Sequence, residues 1–92
     1  MWYVYILLCA DDSFYVGHTQ DIESREKRHN DRKGAVYTAC RTPVRIVWQE
    51  KHESREMAMQ REHQIKRWSK AKKKALIAGD LETLSKLAKR RI

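Results

Sequence analysis

The sequence holds only two cysteines, Cys9 and Cys40, and no C-x-x-C pair. That argues against a disulfide framework or a zinc ribbon, and two isolated thiols in a charged chain fit a reducing cytoplasm. No apolar run approaches the roughly 18 residues that a membrane-spanning helix needs. The apolar opening, MWYVYILLCA, has no basic residue before it and is followed by Asp11 and Asp12, so it reads as a strand rather than a secretory signal. One proline and three glycines leave no linker, repeat or low-complexity segment to divide the 92 residues. One domain is the expectation.

The chain has 20 Lys and Arg against 12 Asp and Glu, a net charge of +8. Such a balance favours a polyanionic partner, nucleic acid before membrane. A protein partner is compatible with it but not indicated. A hydrophobic share of 41% is too high for a disordered tail.

Residues 2–9 are apolar on both alternating faces, which predicts a central strand covered on both sides. CADDS reads as a turn, and FYVGHT at 14–19 as the second strand of a hairpin. Residues 21–32 open with Asp21 as N-cap and run helically toward Gly34. Residues 33–43 read as loop. Residues 44–50 alternate Val44, Ile46 and Trp48 against Arg45, Val47 and Gln49, a third strand. Ser54 caps a helix over 55–68, Ser69 caps another that ends at Gly79, and Asp80 caps a last one with Leu81, Leu84, Leu87 and Ala88 on one face. The expected fold is α+β, a small three-stranded antiparallel sheet flanked by helices. Residues 1–79 would form the domain, and 80–92 a helix packed on it or extending it.

Several polar residues fall where apolar ones belong. A helix anchored through Ile22 turns Arg25 and His29 inward, unless it lies mostly on the surface. Glu62 interrupts the stripe formed by Ala58 and Ile65, with Met57 and Trp68 beside it. A carboxylate on a core face is expensive unless it is paired or holds a metal, so a buried Glu62–Arg25 salt bridge and a metal ligand both fit. Tyr3, Tyr5 and Tyr15 crowd the hairpin. Tyr5 and Tyr15 share a face only if the hairpin loop has an odd number of residues. Gly17 stands inside a strand, which marks a bulge or a close approach to the backbone. The run 61–74 carries Arg61, Lys66, Arg67, Lys70, Lys72, Lys73 and Lys74 and suits phosphate binding. Trp68 within it fits either a stacking surface or the core.

These residues together resemble the GIY-YIG nuclease domain, especially its small single-domain bacterial members. The two tripeptides appear as Tyr3-Val4-Tyr5 and Tyr15-Val16-Gly17, with Tyr3 in place of the first glycine and valine in place of isoleucine. Arg25, His29, His18 and Glu62 match the downstream motif positions, and the likeness runs from about Trp2 to Ile77.

The resemblance implies a divalent-metal-dependent endonuclease acting in repair, recombination or turnover. Glu62 would hold one Mg²⁺ or Mn²⁺, and Arg25 would bind the non-bridging phosphate oxygens. Tyr15 would accept the proton from water, with His18 or His29 as alternative bases or relays. Tyr5 would position water or phosphate, and Gly17 would let one of them approach the backbone. The competing expectation is a non-catalytic DNA- or RNA-binding module that keeps the fold. A weaker one is an adaptor whose basic face meets an acidic protein.

Overall fold

The computed structural model describes residues 1–80 together with 82 and 83. Three strands, β1 (Trp2–Leu8), β2 (Phe14–Thr19) and β3 (Arg45–His52), form an antiparallel sheet in the order β2-β1-β3. The doubly apolar strand is thus the central one. Four helices follow the chain as α1 (Ile22–Asn30), α2 (Val36–Ala39), α3 (Arg55–Lys66) and α4 (Lys70–Ala78). The helix expected after Asp80 lies outside the described residues.

Alternation along β1 divides the core. Val4, Ile6 and Val16 pack with Ala58, Ile65 and Trp68 on the face covered by α3 and α4. Tyr5, Leu7, Cys9 and Val44 pack on the other, with Ile22 of α1 against them. Trp68 therefore belongs to the core. Met57 does not, being 50% exposed.

The third strand departs from simple alternation. Ile6 pairs with Trp48, but Leu7 pairs with Ile46, so Val47 is an extra residue in a bulge. Val44 and Ile46 consequently join the Tyr5 cluster while Trp48 crosses to the other face. A one-residue slip inverts a strand's faces, and no periodicity over 44–50 can reveal it.

The helix starts follow local chemistry. Asp21 Oδ1 accepts from the Ser24 N–H, Ser54 Oγ from Met57 and Ser69 Oγ from Lys72, each at 3.2 Å. Gly79 ends α4 at φ 71°, the left-handed conformation that glycine adopts without a Cβ penalty.

The first helix has one aliphatic residue and docks through polar groups instead. Asn30 clasps Val44, accepting from its N–H at 2.7 Å and donating to its carbonyl at 2.9 Å. Glu26 accepts from the Ile46 N–H at 2.8 Å. These side chains satisfy backbone groups on β3 and on the residue just before it, and fix the helix that carries Arg25 and His29. Asn30→Ala should therefore lower unfolding free energy by about 1–2 kcal/mol, read as a reduced denaturant midpoint at unchanged slope.

Candidate active site

The hairpin register sets the site. Leu8 opposes Phe14, leaving residues 9–13 as an odd, five-residue loop. Leu7 opposes Tyr15 and Gly17 opposes Tyr5, so Tyr5 and Tyr15 share the face that α1 covers.

On that face a hydrogen-bonded chain has one polarity. The Thr38 hydroxyl donates to the Ala35 carbonyl at 3.0 Å, so it must accept from His29 Nδ1 at 2.7 Å. His29 Nε2 is then unprotonated and accepts from the Tyr5 hydroxyl at 3.0 Å. The carbonyl can only accept, and this fixes both the tautomer and the direction of the Tyr5 proton. His29 is 1% exposed. Both of its nitrogens are engaged, so it reaches a substrate only through Tyr5. Burial, and then the charges of Arg25 and Arg28, lower its pKa. Burial chiefly, with Tyr15 and Glu62 adding and Arg25 opposing, raises that of Tyr5 well above the ordinary phenol value.

Glycines shape the seats of this pair. A Cβ on Gly17 would lie 2.5 Å from the Tyr5 oxygen, and one on Gly34 would collide with the His29 imidazole. The room at Gly17 is therefore filled by the cross-strand Tyr5 phenol. The expectation that a phosphate or water uses that space is corrected accordingly.

The neutral His29 gives folding a pH dependence. The unfolded chain takes up this proton at the ordinary histidine value, near 6.5, and the folded chain only at lower pH. Stability from this group is complete above that value and is lost as pH falls below it toward the folded pKa, with a slope of up to about 1.4 kcal/mol per pH unit. Glu62 acts in a lower window, below the ordinary carboxylate value, because its pKa is also depressed. Denaturant melts across pH 7 to 5 should show the first loss, and His29→Phe should flatten it.

Glu62 comes from α3 on the opposite face and meets the same sheet edge. It is 7% exposed. Its Oε1 accepts from His18 Nδ1, and its Oε2 meets Lys66 Nζ at 2.9 Å. Burial favours the neutral acid, but these partners outweigh it and hold the carboxyl below its usual range. The expected Glu62–Arg25 salt bridge is replaced by these two contacts, and Arg25 is in none of the ion pairs among the described residues. Arg25 is half-buried as a residue, and its charge stands close enough to act on both Tyr5 and His29.

The ring of Tyr15 is bordered on several sides. His29 lies 5.3 Å away between ring centroids, Tyr37 stacks at 6.0 Å, and Lys66 Nζ is 6.0 Å from the ring centre. Arg41 sits 3.9 Å over Tyr37 and is held by Asp11 at 3.0 Å. Tyr37 and Thr38 lie in the segment read as loop, and four residues of α2 are too few for periodicity to register. The Glu62–Lys66 pair did carry a signal, since Glu four residues before Lys is the favoured helical order.

The basic run does not present one face. Arg61 pairs with Glu50 at 3.0 Å, and Lys72 is buried with its ammonium 4.2 Å from the Trp68 ring centre. Lys73 is half-buried, which lowers its pKa. Arg67, Lys70 and Lys74 are exposed. Lys72 is therefore poorly placed for a phosphate, because its aliphatic stem and charge are spent on Trp68. Among the described residues no helix is long and apolar enough to cross a membrane.

Known proteins resemble this chain in sequence and in fold. Residues 1–75 match the family model of the GIY-YIG catalytic domain. A UPF0213 protein of Natronomonas pharaonis is 49% identical over 78 residues, covering 85% of this chain and 92% of the relative. One from Staphylococcus saprophyticus is 45% identical over 83% of this chain and 93% of its own. The likeness thus extends across bacteria and archaea. The solution NMR structure of a UPF0213 protein from Bacillus halodurans, 43% identical, aligns with a TM-score of 0.56 over 87% of this chain and 86% of that one. A second NMR structure, of a protein from E. faecalis, has the same TM-score and coverage at 40% identity.

Proposed function

The chain belongs to the GIY-YIG family, and from that premise we propose that it is a divalent-metal-dependent endonuclease that hydrolyses phosphodiester bonds in nucleic acid, DNA before RNA. The observation that carries the reading is the meeting of Tyr5, Tyr15, Arg25 and His29 with the buried Glu62 at one sheet edge, although they come from both faces.

The donor set fits a hard cation held lightly by protein. Among the described residues no three His, Cys, Asp or Glu side chains gather as a metal cage. Glu62 would supply one carboxylate, while water and substrate phosphate fill the remaining positions, which suits Mg²⁺ or Mn²⁺. When bound, such an ion supplies charge neutralisation at the phosphate and the leaving oxygen. Lys66 Nζ, now 2.9 Å from Glu62 Oε2, would have to release that oxygen for the carboxylate to hold an ion there.

The chain's own groups do the remaining work. His18 orients Glu62 through Oε1. Arg25 donates to the non-bridging oxygens, where a planar guanidinium makes paired hydrogen bonds. Tyr15, as the phenolate, takes the proton from the attacking water and becomes the neutral phenol, with the Lys66 ammonium 6.0 Å from its ring centre. Tyr5 keeps its proton and donates it in a hydrogen bond to His29, so its oxygen lone pairs are free to accept from that water and hold it. Exposed Arg67, Lys70 and Lys74 bind flanking phosphates. Repair, recombination and turnover are the settings in which such cleavage would serve.

Arg25→Lys tests the fork, since it keeps the charge and loses the planar donor pair. Cleavage of plasmid and branched DNA in Mg²⁺ or Mn²⁺ should fall by about 10²-fold or more, and Arg25→Ala should fall at least as far. Binding without cutting by the parent protein in either metal would instead favour a non-catalytic nucleic-acid-binding module.

A further inference from the structure

On the far face of the sheet, a cavity of about 430 Å³ opens between the hairpin end, β3 and α4. Among the described residues its apolar lining includes Leu8, Phe14, Val47 and Ile77, and its charged lining is Arg45, Lys70 and Lys74 against the carboxylate of Asp12. Lys70 Nζ stands 5.8 Å from the Phe14 ring centre. None of the polar groups at the sheet edge beside Tyr15 lines it.

The cavity is nevertheless linked to that edge. Phe14 and Tyr15 are neighbours on β2, an outer strand, and point to opposite faces. Lys66 stands at the Tyr15 ring and Lys70 at the Phe14 ring. Cations therefore continue around the strand edge, from the candidate active site to the cavity and on to Lys74 and Arg45.

We propose that this cavity takes one unpaired nucleotide of the strand being cleaved, with its base on Phe14 and its flanking phosphates on Lys70, Lys74 and Arg45. The inference rests on the nuclease reading and narrows its substrate class. A volume of about 430 Å³ lies in the range of small-ligand pockets and suits a single nucleotide. An aromatic face beside cations is the arrangement that holds single strands without reading their sequence. A paired base is unavailable to such a pocket unless it leaves its stack. Nucleic acids with unpaired nucleotides beside the cleavage point, such as single strands, flaps and frayed ends, are thus favoured over blunt duplex. Three cations against one carboxylate disfavour a basic partner, and an acidic peptide would leave the Phe14 ring face unused.

The test measures binding in EDTA, so that no cleavage is needed. A single-stranded oligonucleotide carrying 2-aminopurine and a blunt duplex of the same length are titrated with the parent, Phe14→Leu and Ala78→Trp. The first variant removes the ring and keeps an apolar side chain, and the second fills the cavity and leaves Phe14 in place. Circular dichroism melts confirm that each is folded. Both variants should bind the single strand about tenfold more weakly and lose the fluorescence change, while duplex affinity stays within about twofold. Single-strand affinity equal to the parent's in both folded variants overturns the proposal. If those variants bind normally and the parent still cuts, the cavity reading fails and the nuclease reading stands. If the single strand depends on Phe14 but is never cut, the reverse holds. A parent that binds no nucleic acid overturns both.

Discussion

Glu62→Gln is expected to slow metal-dependent cleavage by about 10³-fold while leaving nucleic-acid affinity within about twofold. The substitution is nearly isosteric, so Ala58, Ile65 and the rest of the α3 stripe keep their packing. Its amide oxygen still accepts from His18 Nδ1. What is lost is the negative charge that Lys66 now balances and that a cation would need. Binding is spared because phosphates are held by Arg67, Lys70 and Lys74, none of which depends on Glu62. Steady-state cleavage and fluorescence anisotropy on the same labelled DNA separate the two effects. Equal loss in both would mean that Glu62 is structural.

Gly17→Ala should be the second large loss. Its Cβ would stand 2.5 Å from the Tyr5 oxygen and 2.7 Å from Tyr5 Cζ, so the ring must move. Moving it breaks the Tyr5–His29 hydrogen bond and leaves a buried imidazole nitrogen without its donor. That costs about 1–3 kcal/mol of stability. Cleavage should fall by about 10²-fold, because a displaced Tyr5 no longer positions water. The mechanism is specific enough for a double-mutant cycle. With Tyr5→Phe already in place, the bond is gone and the hydroxyl no longer obstructs, so Gly17→Ala should cost less than it does alone. Fully additive losses in denaturation and cleavage would show that Gly17 acts through something other than Tyr5.

The sequence makes some of this plain and hides the rest for identifiable reasons. Cap residues act within four positions, so Asp21, Ser54, Ser69 and Gly79 mark their helix ends directly. The strand 2–9 shows its central place because both faces are apolar. His29 is legible as an inward group from its spacing to Ile22. By contrast, the bulge at Val47 depends on pairing with β1, which lies some 40 residues away in sequence. The shift of Trp48 across the sheet could not be read from 44–50 alone. α2 is barely one helical turn, too short for a pattern to repeat, and with it Thr38 and Tyr37 were hidden. Glu62 is visible as an anomaly, but its partners are His18 on β2 and Lys66 one turn along α3 rather than Arg25, and the His18 contact depends on how α3 packs on the sheet. Gly17 was visible too, while its occupant, Tyr5, is a matter of cross-strand register.

The most direct measurement is the initial rate at which the purified parent cuts a labelled branched DNA in Mn²⁺, in Mg²⁺ and in EDTA, beside Glu62→Gln and Arg25→Ala purified identically. The account predicts cutting by the parent in at least one of the two metals, none in EDTA, and near-background rates in both variants. DNA that is bound and left intact by the parent in both metals, or cutting that survives in the variants, would contradict it.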